Sequence, residues 1–577
     1  MASPDPPSAA TISLPEALAL LDGDARPAAD GVANGKFALW LGSGISMNTV
    51  PGLSGAIHNV LEFLQSRADH ADEKCEHRRA LKDAIGLVEL GETEASEVDL
   101  TRPVDEWPHL ERILRRLVRR YSELLDLRVR HTSEDYLLWE GVDIQGTYAA
   151  SLAPGTEHLC IAILTLEGVI QEIPSANWDG LIEAAIQELA VEPAQSLEVY
   201  VLNPDFQDPR TAPRLLKFHG CAVLAAQHPT EYRAALIGRR SQITEWTEHP
   251  ESSLMCRALT TLATEKRTLM IGLSAQDEDI QNVFTKAKAL MPWVWEAASP
   301  AYAFAEQTIG DMQKNLLKVV YRQQYQDHVG DIEEGALIQA YAEPLLAALV
   351  LDVLAAKLGK YIQHASAPAL TASDRVTLAE GITQLRNEAA ARIEPDRREA
   401  IRLSIKAQRR ALELFRTGEE TAPDDTRYSP LSQTTVEGIS SDAGLTTGGM
   451  PALAAALGIL GRGESDATWT LEVASAASSA PGALTVSSAT GTNTAIHFAA
   501  NSRSAIRQEA LASVIGARDD TIFVHSVRPI ANSPRSPRVG YGRTGRSGIR
   551  HVDMEDLLGR CTSIKHLEEQ FRSAASI

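Results

Sequence analysis

The stretch FALWLGSGIS, residues 37–46, decides the fold that the sequence predicts. Its first five residues are apolar, which is typical of a strand covered on both faces, and its two glycines predict a tight turn. Apolar residues then recur with helical spacing at Ile57, Val60, Leu61 and Leu64. A strand, a glycine turn and a helix in this order are the opening unit of an α/β domain.

Further short apolar runs extend this pattern as far as residue 306. They predict six parallel strands, at 37–41, 169–173, 197–202, 214–218, 268–271 and 301–305. A helical insertion separates the first two strands and carries Arg115, Arg116, Arg119 and Arg120. We interpret these arginines as the solvated face of a surface helix, with recognition of an acidic partner as the alternative. The predicted fold class is α/β, a Rossmann-like parallel sheet with a helical insertion.

The rest of the chain predicts a second region. A helix at 338–358 closes the first domain, and the stretch 364–374 is interpreted as a linker. Two amphipathic helices after it predict an antiparallel pair, and the segments TWTLEV and AIHFAA predict strands. We therefore expect a domain at 1–363 with its core at 37–306, a linker at 364–374, and a C-terminal α+β region of unassigned fold at 375–577.

Charge and cysteine content restrict the partners and the compartment. Lys and Arg total 55 against 76 Asp and Glu, a net charge of −21, so electrostatic repulsion disfavours nucleic acid and anionic membranes. The five cysteines are scattered without a CxxC pair, which predicts neither a zinc site nor a disulfide framework. No basic segment precedes an apolar one at the N-terminus, and no apolar run reaches about 20 residues. We expect a cytoplasmic protein without a transmembrane helix.

Four polar or glycine-rich clusters follow predicted strands. They are GSGIS at 42–46, SANWD at 175–179, KFHG at 217–220 and IGLSAQDEDI at 271–280. Taken singly, each has a structural explanation, such as a glycine turn, a helix cap at Asp179 or a structural histidine at His219. Ligands of open parallel sheets bind beyond the carboxyl ends of the strands, where all four clusters are expected. Glycines followed by a helix start also suit a phosphate, so the clusters together predict a ligand site.

In this order the clusters resemble the motifs of the Sir2 family: a GAGIS-like turn, an Asn-x-Asp segment, a His-Gly dipeptide and a later Gly-x-Ser. The resemblance covers roughly residues 37–306 and implies that the domain at 1–363 binds NAD and carries the catalytic site. It implies that the NAD pyrophosphate and the adjoining ribose are held by Gly42, Ser43, Gly44, Ile45 and Ser46.

The same resemblance implies roles for the later clusters. Asn177 would orient the nicotinamide ribose or a water molecule, and Asp179 would support the pocket. His219 would act on the ribose hydroxyls or on the incoming nucleophile. Gly272 and Ser274 would contact the adenosine half of NAD.

The chain also departs from the protein deacylases of that family. Two CxxC pairs usually follow their His-Gly motif, and this chain has none. Where they carry a Pro-Asp-Phe-Arg segment, this chain has MNTVPGLSGAI at 47–57. In both departures the chain resembles the Sir2-like branch of bacterial anti-phage effectors. This resemblance implies an NAD glycohydrolase that releases nicotinamide and ADP-ribose without a metal. The branch also implies regulation through a homo-oligomer or a partner such as a HerA-like ATPase.

Two other functions remain open at this point. An NAD-dependent protein deacylase or ADP-ribosyltransferase would use the same pocket with a different nucleophile. A noncatalytic protein that binds NAD or ADP-ribose and serves assembly is the second alternative. Hydrolysis and cyclisation of the ADP-ribose product are not distinguished by the sequence.

A basic segment near the C-terminus contrasts with the acidic chain. Residues 521–552 contain no Asp or Glu, and they carry Arg528, Arg535, Arg538, Arg543, Arg546 and Arg550. Interspersed glycines and prolines predict a loop. We interpret it as a clamp on the acidic domain or as a docking site for a subunit or partner, with nucleic acid the least favoured of the three.

Overall fold

The computed structural model describes residues 8–290, 293–296, 300–422, 425–442, 445, 448–473, 484–488, 493–515, 521–526 and 550–577. Within these ranges the chain forms a parallel sheet covered by helices on both faces, and a second, mixed sheet in the C-terminal region. The predicted α/β fold class, a Rossmann-like parallel sheet with a helical insertion followed by an α+β region, is confirmed. Arg528, Arg535, Arg538, Arg543 and Arg546 of the basic segment lie outside the described residues.

The first sheet is built from seven described strands. They are β1 Phe37–Leu41, β2 Glu172–Ser175, β3 Glu198–Tyr200, β4 Arg214–Lys217, β5 Arg267–Ile271, β6 Tyr302–Ala305 and β7 Leu337–Ile338. All neighbours are parallel, in the order β3-β4-β2-β1-β5-β6-β7. β1 therefore lies at the centre of the sheet, as its fully apolar sequence predicts.

Two details of the strand prediction are wrong. The second strand lies about three residues later than predicted and includes Glu172, whose buried carboxylate pairs with Arg210 and Arg214. The charge is tolerated because two guanidinium groups neutralise it. The helix predicted at 338–358 begins instead at Ala342, and its predicted first residue, Ile338, lies in the short strand β7.

Helices cover both faces of this sheet. They are α1 Leu14–Asp22, α2 Arg26–Ala33, α3 Leu53–Arg67, α4 Glu76–Gly86, α5 Glu92–Glu97, α6 Leu110–Val118, α7 Tyr121–Leu125, α8 Thr156–Leu166, α9 Leu181–Leu189, α10 Pro193–Ser196, α11 Ala222–Gln227, α12 Pro229–Tyr232, α13 Arg240–Glu245, α14 Ser253–Glu265, α15 Glu278–Leu290, α16 Asp311–Tyr321, α17 Gln323–Asp327, α18 Val329–Ala336 and α19 Ala342–Gln363. Alternate residues of β1 enter different cores: Ala38 and Trp40 pack with α3 and α15, whereas Leu39 and Leu41 pack with α8 and α19. The period-2 alternation of a strand thus gives the domain two hydrophobic layers.

The predicted helical insertion comprises α3 to α7 between β1 and β2. Arg115 and Arg119 of α6 and its C-terminal end are exposed, as interpreted from the sequence. Arg116 and Arg120 instead donate to backbone carbonyl oxygens of residues 87–89, at distances of 2.7–2.8 Å. Half of the arginine row therefore fixes the end of α4.

The C-terminal region contains the second sheet. Its elements are α20 Ala372–Ile393, α21 Arg397–Thr417, α22 Met450–Ser465, β8 Trp469–Val473, β9 Leu484–Ser488, β10 Asn493–Ala499, α23 Ser502–Ile515, β11 Thr521–His525, β12 Arg550–Asp553, α24 Met554–Arg560 and α25 Ile564–Ala575. The strand order is β12-β11-β10-β9-β8, parallel from β10 to β12 and antiparallel from β8 to β10. Both strands predicted in this region are present.

The predicted antiparallel pair of helices is wrong in its partners. α20 packs against α22 and α19, and α21 packs against α23. The reason is a contact between backbones: a Cβ atom placed on Gly381 would lie 2.0 Å from the carbonyl oxygen of Gly458, and one on Gly461 2.0 Å from that of Gly381. Only glycine permits this approach of α20 to α22.

A buried ion pair of the first domain also binds the C-terminal region. Lys357 of α19 and Glu167, next to α8, are fully buried and 2.6 Å apart. Nζ of Lys357 also donates to the carbonyl of Ser432, and the hydroxyl of Tyr428 and the backbone N–H of Leu431 donate to the other carboxylate oxygen of Glu167. These bonds attach the segment that follows α21 to the first domain.

Within the described ranges, no helix combines the length and the apolar character that a membrane crossing requires.

Candidate active site

The four clusters that the sequence singled out lie at one edge of the first sheet. Their strands β4, β2, β1 and β5 are consecutive neighbours, and each cluster follows the carboxyl end of its strand. Ser175 of β2 is paired in register with both Leu41 of β1 and Lys217 of β4. Asn177 and His219 therefore stand at equivalent positions, two residues beyond a register pair on strands about 4.8 Å apart.

The glycine turn packs against the loop that follows β5. The backbone N–H groups of Gly42 and Gly44 donate to the carbonyls of Ile271 and Gly272, both at 3.1 Å. A Cβ atom on Gly42 would lie 2.3 Å from the carbonyl oxygen of Gly272, and Gly272 itself has φ +63°, the left-handed region. The first and last motifs thus touch through their backbones, and these glycines are required for that contact as well as for any approach of phosphate.

The side chains of the glycine turn differ in their surroundings. Ile45 is buried in the core with α8 and α19, so it can reach a ligand only through its backbone. Ser43 and Ser274 are exposed at the sheet edge. Ser46 is buried and turns toward the second cluster.

Ser46 links Asn177 to a histidine that the sequence analysis missed. Nδ2 of Asn177 donates to Oγ of Ser46 at 3.3 Å, and Nε2 of His158 lies 3.1 Å from the same oxygen. Nδ1 of His158 accepts the backbone N–H of Gly155 at 3.1 Å, so the ring proton must be on Nε2 and is donated to Ser46. Burial of this imidazole lowers its pKa to about 4, which keeps it neutral.

Asn177 keeps one polar atom for a ligand. The residue is only 5% exposed, and within the described part of the chain no donor meets its Oδ1 atom. Buried carbonyl oxygens are nearly always hydrogen-bonded, and leaving one without a partner costs about 1–3 kcal/mol. A ligand hydroxyl or a water molecule at this position would satisfy it.

Asp179 contacts the start of α9, although the cap residue of that helix is Gly180. Its Oδ1 accepts the backbone N–H of Leu181 at 3.1 Å, which stabilises the start of α9. Its carbonyl oxygen accepts from Nζ of Lys217, which is fully buried and also pairs with Glu183 at 2.9 Å. Lys217, the first residue of the KFHG cluster, thus fixes the loop that carries Asn177.

His219 lies in an acidic, buried environment. Its Nε2 atom is 2.7 Å from Oδ2 of Asp279, and both side chains are less than 5% exposed. The neighbouring Asp277 accepts a hydrogen bond of 2.8 Å from the hydroxyl of Tyr121, at the start of α7. Burial opposes a charged imidazole, but the charge and the hydrogen bond of Asp279 outweigh it and raise the pKa of His219. Burial raises the pKa of Asp277.

Two groups of described side chains could also surround a cation. They are His58, Glu62 and Asp105 at the surface, and His219, Asp277 and Asp279 in the site. In the second group, hydrogen bonds already connect His219 to Asp279 and Tyr121 to Asp277. The expectation that no metal takes part stays a prediction.

The structure brings some predicted site residues into direct contact and leaves others apart. Ser46 touches Asn177, and Gly42 and Gly44 touch Gly272. His219 has its hydrogen bond with Asp279 instead of with another predicted residue. The residues that the sequence analysis did not assign are His158, Lys217, Asp279, Asp277 and Tyr121.

A family model described as a SIR2-like domain matches residues 171–326, which contain Asn177, His219 and Gly272 but not the glycine turn. No curated protein matches the chain. The match supports a Sir2-like fold for this part of the chain and an NAD-related function, and it suggests an NAD-utilising enzyme.

Proposed function

We propose that the chain is an NAD glycohydrolase that cleaves NAD to nicotinamide and ADP-ribose. The observation that carries this proposal is the buried Oδ1 atom of Asn177, which lacks a donor among the described residues. It stands at the sheet edge beside the glycine turn and two residues beyond β2, next to the strand that leads to His219. A ribose hydroxyl or a polarised water is the kind of donor this atom fits.

The proposed reaction needs few groups. The bond between C1′ of the ribose and the pyridinium nitrogen breaks, and its electron pair neutralises the nicotinamide as it leaves. Water attacks the oxocarbenium-like C1′, and its proton passes to the imidazole of His219 and then to solvent. General base catalysis of this kind contributes about 10²–10⁴-fold. Asn177 would hold the ribose or the water, with its amide fixed by Ser46.

NAD would lie across the carboxyl edge of the sheet in the proposed arrangement. The pyrophosphate and the adjoining ribose would contact the glycine turn, namely Gly42, Ser43, Gly44, Ile45 and Ser46. Ser43 could use its exposed side chain, whereas Ile45, whose side chain is buried, would use its backbone. Gly272 and Ser274 would contact the adenosine half. Asp179 would act indirectly, by holding the loop before α9.

The C-terminal region is proposed to regulate this site, because uncontrolled loss of NAD would kill the cell. Contacts that could carry regulation are present: Arg398 and Arg402 of α21 donate to the carbonyl of Pro154 at 3.5 Å. Pro154 directly precedes Gly155, which fixes His158 and through it Ser46. Anti-phage defence, a homo-oligomer and a HerA-like ATPase partner belong to this proposal, as do the domain limits 1–363 and 375–577.

Analysis of the reaction products tests the proposal. The purified full chain is incubated with NAD over a range of protein concentrations, with and without an acetyl-lysine peptide, and the products are separated by chromatography. Equal amounts of nicotinamide and ADP-ribose, unchanged by the peptide, are expected. Nicotinamide release that requires the peptide would indicate a deacylase, and NAD binding without any release would indicate a noncatalytic protein; either result contradicts the proposal.

A further inference from the structure

Asp277 and Asp279 follow β5 on one turn of chain, and both face the histidine that the proposed function uses as its base. The three side chains lie close enough to share a cation, so each carboxylate is near the imidazole. The sequence shows two acids without indicating which one His219 contacts. The hydrogen bonds in the structure distinguish them.

Asp279 is the carboxylate bound to His219. Its Oδ2 atom is 2.7 Å from Nε2, with the histidine 4% and the aspartate 1% exposed. The other oxygen accepts the backbone N–H of Ile280 at 2.8 Å, which fixes the carboxylate in the first turn of α15. A short bond between two buried groups orients the ring and stabilises the imidazolium that forms when the base takes a proton.

Asp277 is held by another partner. Its Oδ1 atom accepts a hydrogen bond of 2.8 Å from the hydroxyl of Tyr121, and burial raises the pKa of Asp277. The helical insertion, which carries Tyr121, therefore supplies the hydrogen-bond donor for Asp277. Of the two carboxylates, Asp279 is the one left to interact with the imidazole.

The bond also determines which nitrogen can act. If Nε2 carries the proton donated to Asp279, Nδ1 is the atom available to a water molecule. Within the described part of the chain, no hydrogen-bond partner is found for Nδ1 of His219. The geometry is that of a histidine base oriented by a buried carboxylate.

We infer that Asp279 is the positioning residue of His219, an inference that rests on the proposed function. Asp279 binds Nε2–H and so directs Nδ1 to the attacking water. Asp277, engaged by Tyr121, acts on the imidazole only through its distance-dependent charge. The inference assigns different consequences to the loss of two acids that are two residues apart.

The test compares Asp279→Asn with Asp277→Asn, and uses Glu278→Gln as the control because Glu278 is an exposed carboxylate on the same turn. For Asp279→Asn we expect kcat for NAD cleavage to fall at least about 100-fold with KM changed less than about threefold, since orientation of the base is lost and not substrate binding. Its acid limb of kcat should move to lower pH, because the carboxylate that raises the pKa of His219 is gone. For Asp277→Asn we expect the loss of kcat to be at least about tenfold smaller than that of Asp279→Asn. Glu278→Gln should match the wild type.

An Asp279→Asn enzyme within threefold of the wild-type kcat, or equal losses in the two Asn variants, would overturn the inference. A second readout is independent of turnover: the titration of His219 in ¹⁵N-histidine-labelled protein, identified by the signal lost in His219→Gln. We expect its pKa to fall by at least about one unit in Asp279→Asn. If the wild type leaves NAD intact, the proposed function is wrong, and this titration alone then tests the inference. Equal pKa values of His219 in the wild type and in Asp279→Asn would refute it.

Discussion

Replacement of Gly42 by alanine tests whether the glycine turn is held by the loop after β5. The added Cβ would lie 2.3 Å from the carbonyl oxygen and 2.9 Å from the carbonyl carbon of Gly272, and 2.7 Å from Cα of Leu273. Ordinary contact begins at 3.4 Å, and all three atoms belong to the backbone, so no side chain can rotate away. The two loops must separate by about 1 Å in a close-packed interior.

The cost follows from that displacement. Overpacking of this kind destabilises by about 1–3 kcal/mol. The hydrogen bond from the N–H of Gly42 to Ile271 is also strained, and such a bond contributes about 0.5–1.5 kcal/mol. We therefore expect the free energy of unfolding to fall by about 2–3 kcal/mol, and KM for NAD to rise, because the turn no longer has the position that the proposed pyrophosphate site requires.

Urea denaturation followed by circular dichroism measures the first effect, and initial rates of nicotinamide release measure the second. Gly86→Ala is the matched control, since a Cβ at that helical position meets no atom within 4 Å. The control should be as stable as the wild type or more stable by up to about 1 kcal/mol. A Gly42→Ala protein within about 0.5 kcal/mol of the wild type would refute the reasoning.

Three further predictions concern buried charge, acid stability and metal. Lys357→Met leaves Glu167 buried without its cation, so the free energy of unfolding should fall by about 3–5 kcal/mol in urea titrations, and a loss below about 1 kcal/mol would contradict this. Burial lowers the pKa of His158 to about 4 in the folded protein, against about 6.5 in the unfolded chain, so the folded protein holds the imidazole neutral. This difference in pKa should contribute about 3 kcal/mol to the free energy of unfolding above pH 6.5, and the contribution should be lost as the pH falls toward 4. The same acid titration of His158→Gln should lack this loss, and identical curves would disprove the assignment. EDTA should leave NAD cleavage unchanged, whereas loss of activity restored by one divalent ion would contradict the expectation that no metal takes part.

The sequence predicted the strands well where continuous apolar residues bury both faces, as in β1. It misplaced β2 because a buried Glu172 is possible only with Arg210 and Arg214, which approach from 38 and 42 residues away. It misassigned the partner of α20 because the contact depends on glycines in two distant helices, Gly381 and Gly458. Long-range contacts of this kind cannot be predicted from the local sequence pattern.

The site was predictable to the extent that strand ends define it. Asn177 and His219 follow strands directly, so their place at the edge could be foreseen. His158 lies in the first turn of a helix instead. The available signal was Gly155 followed by TEH and an apolar run, the pattern of a helix start. Asp279 stood in a recognised cluster, but its contact with His219 spans 60 residues and depends on the first turn of α15.

The most direct test of the central claim is the rate of nicotinamide release from NAD by the wild type, Asn177→Ala and His219→Ala, with Asn315→Ala, an exposed residue of α16, as the control. Melting temperatures are measured in parallel, so that a folding defect is recognised. The account predicts that both site variants lose release by at least about 100-fold, and that the control retains it. Asn177→Ala should melt near the wild-type temperature, whereas His219→Ala, which leaves Asp279 buried without its partner, should melt at a lower temperature but stay folded under the assay conditions. Release at the wild-type rate by either site variant would contradict the account.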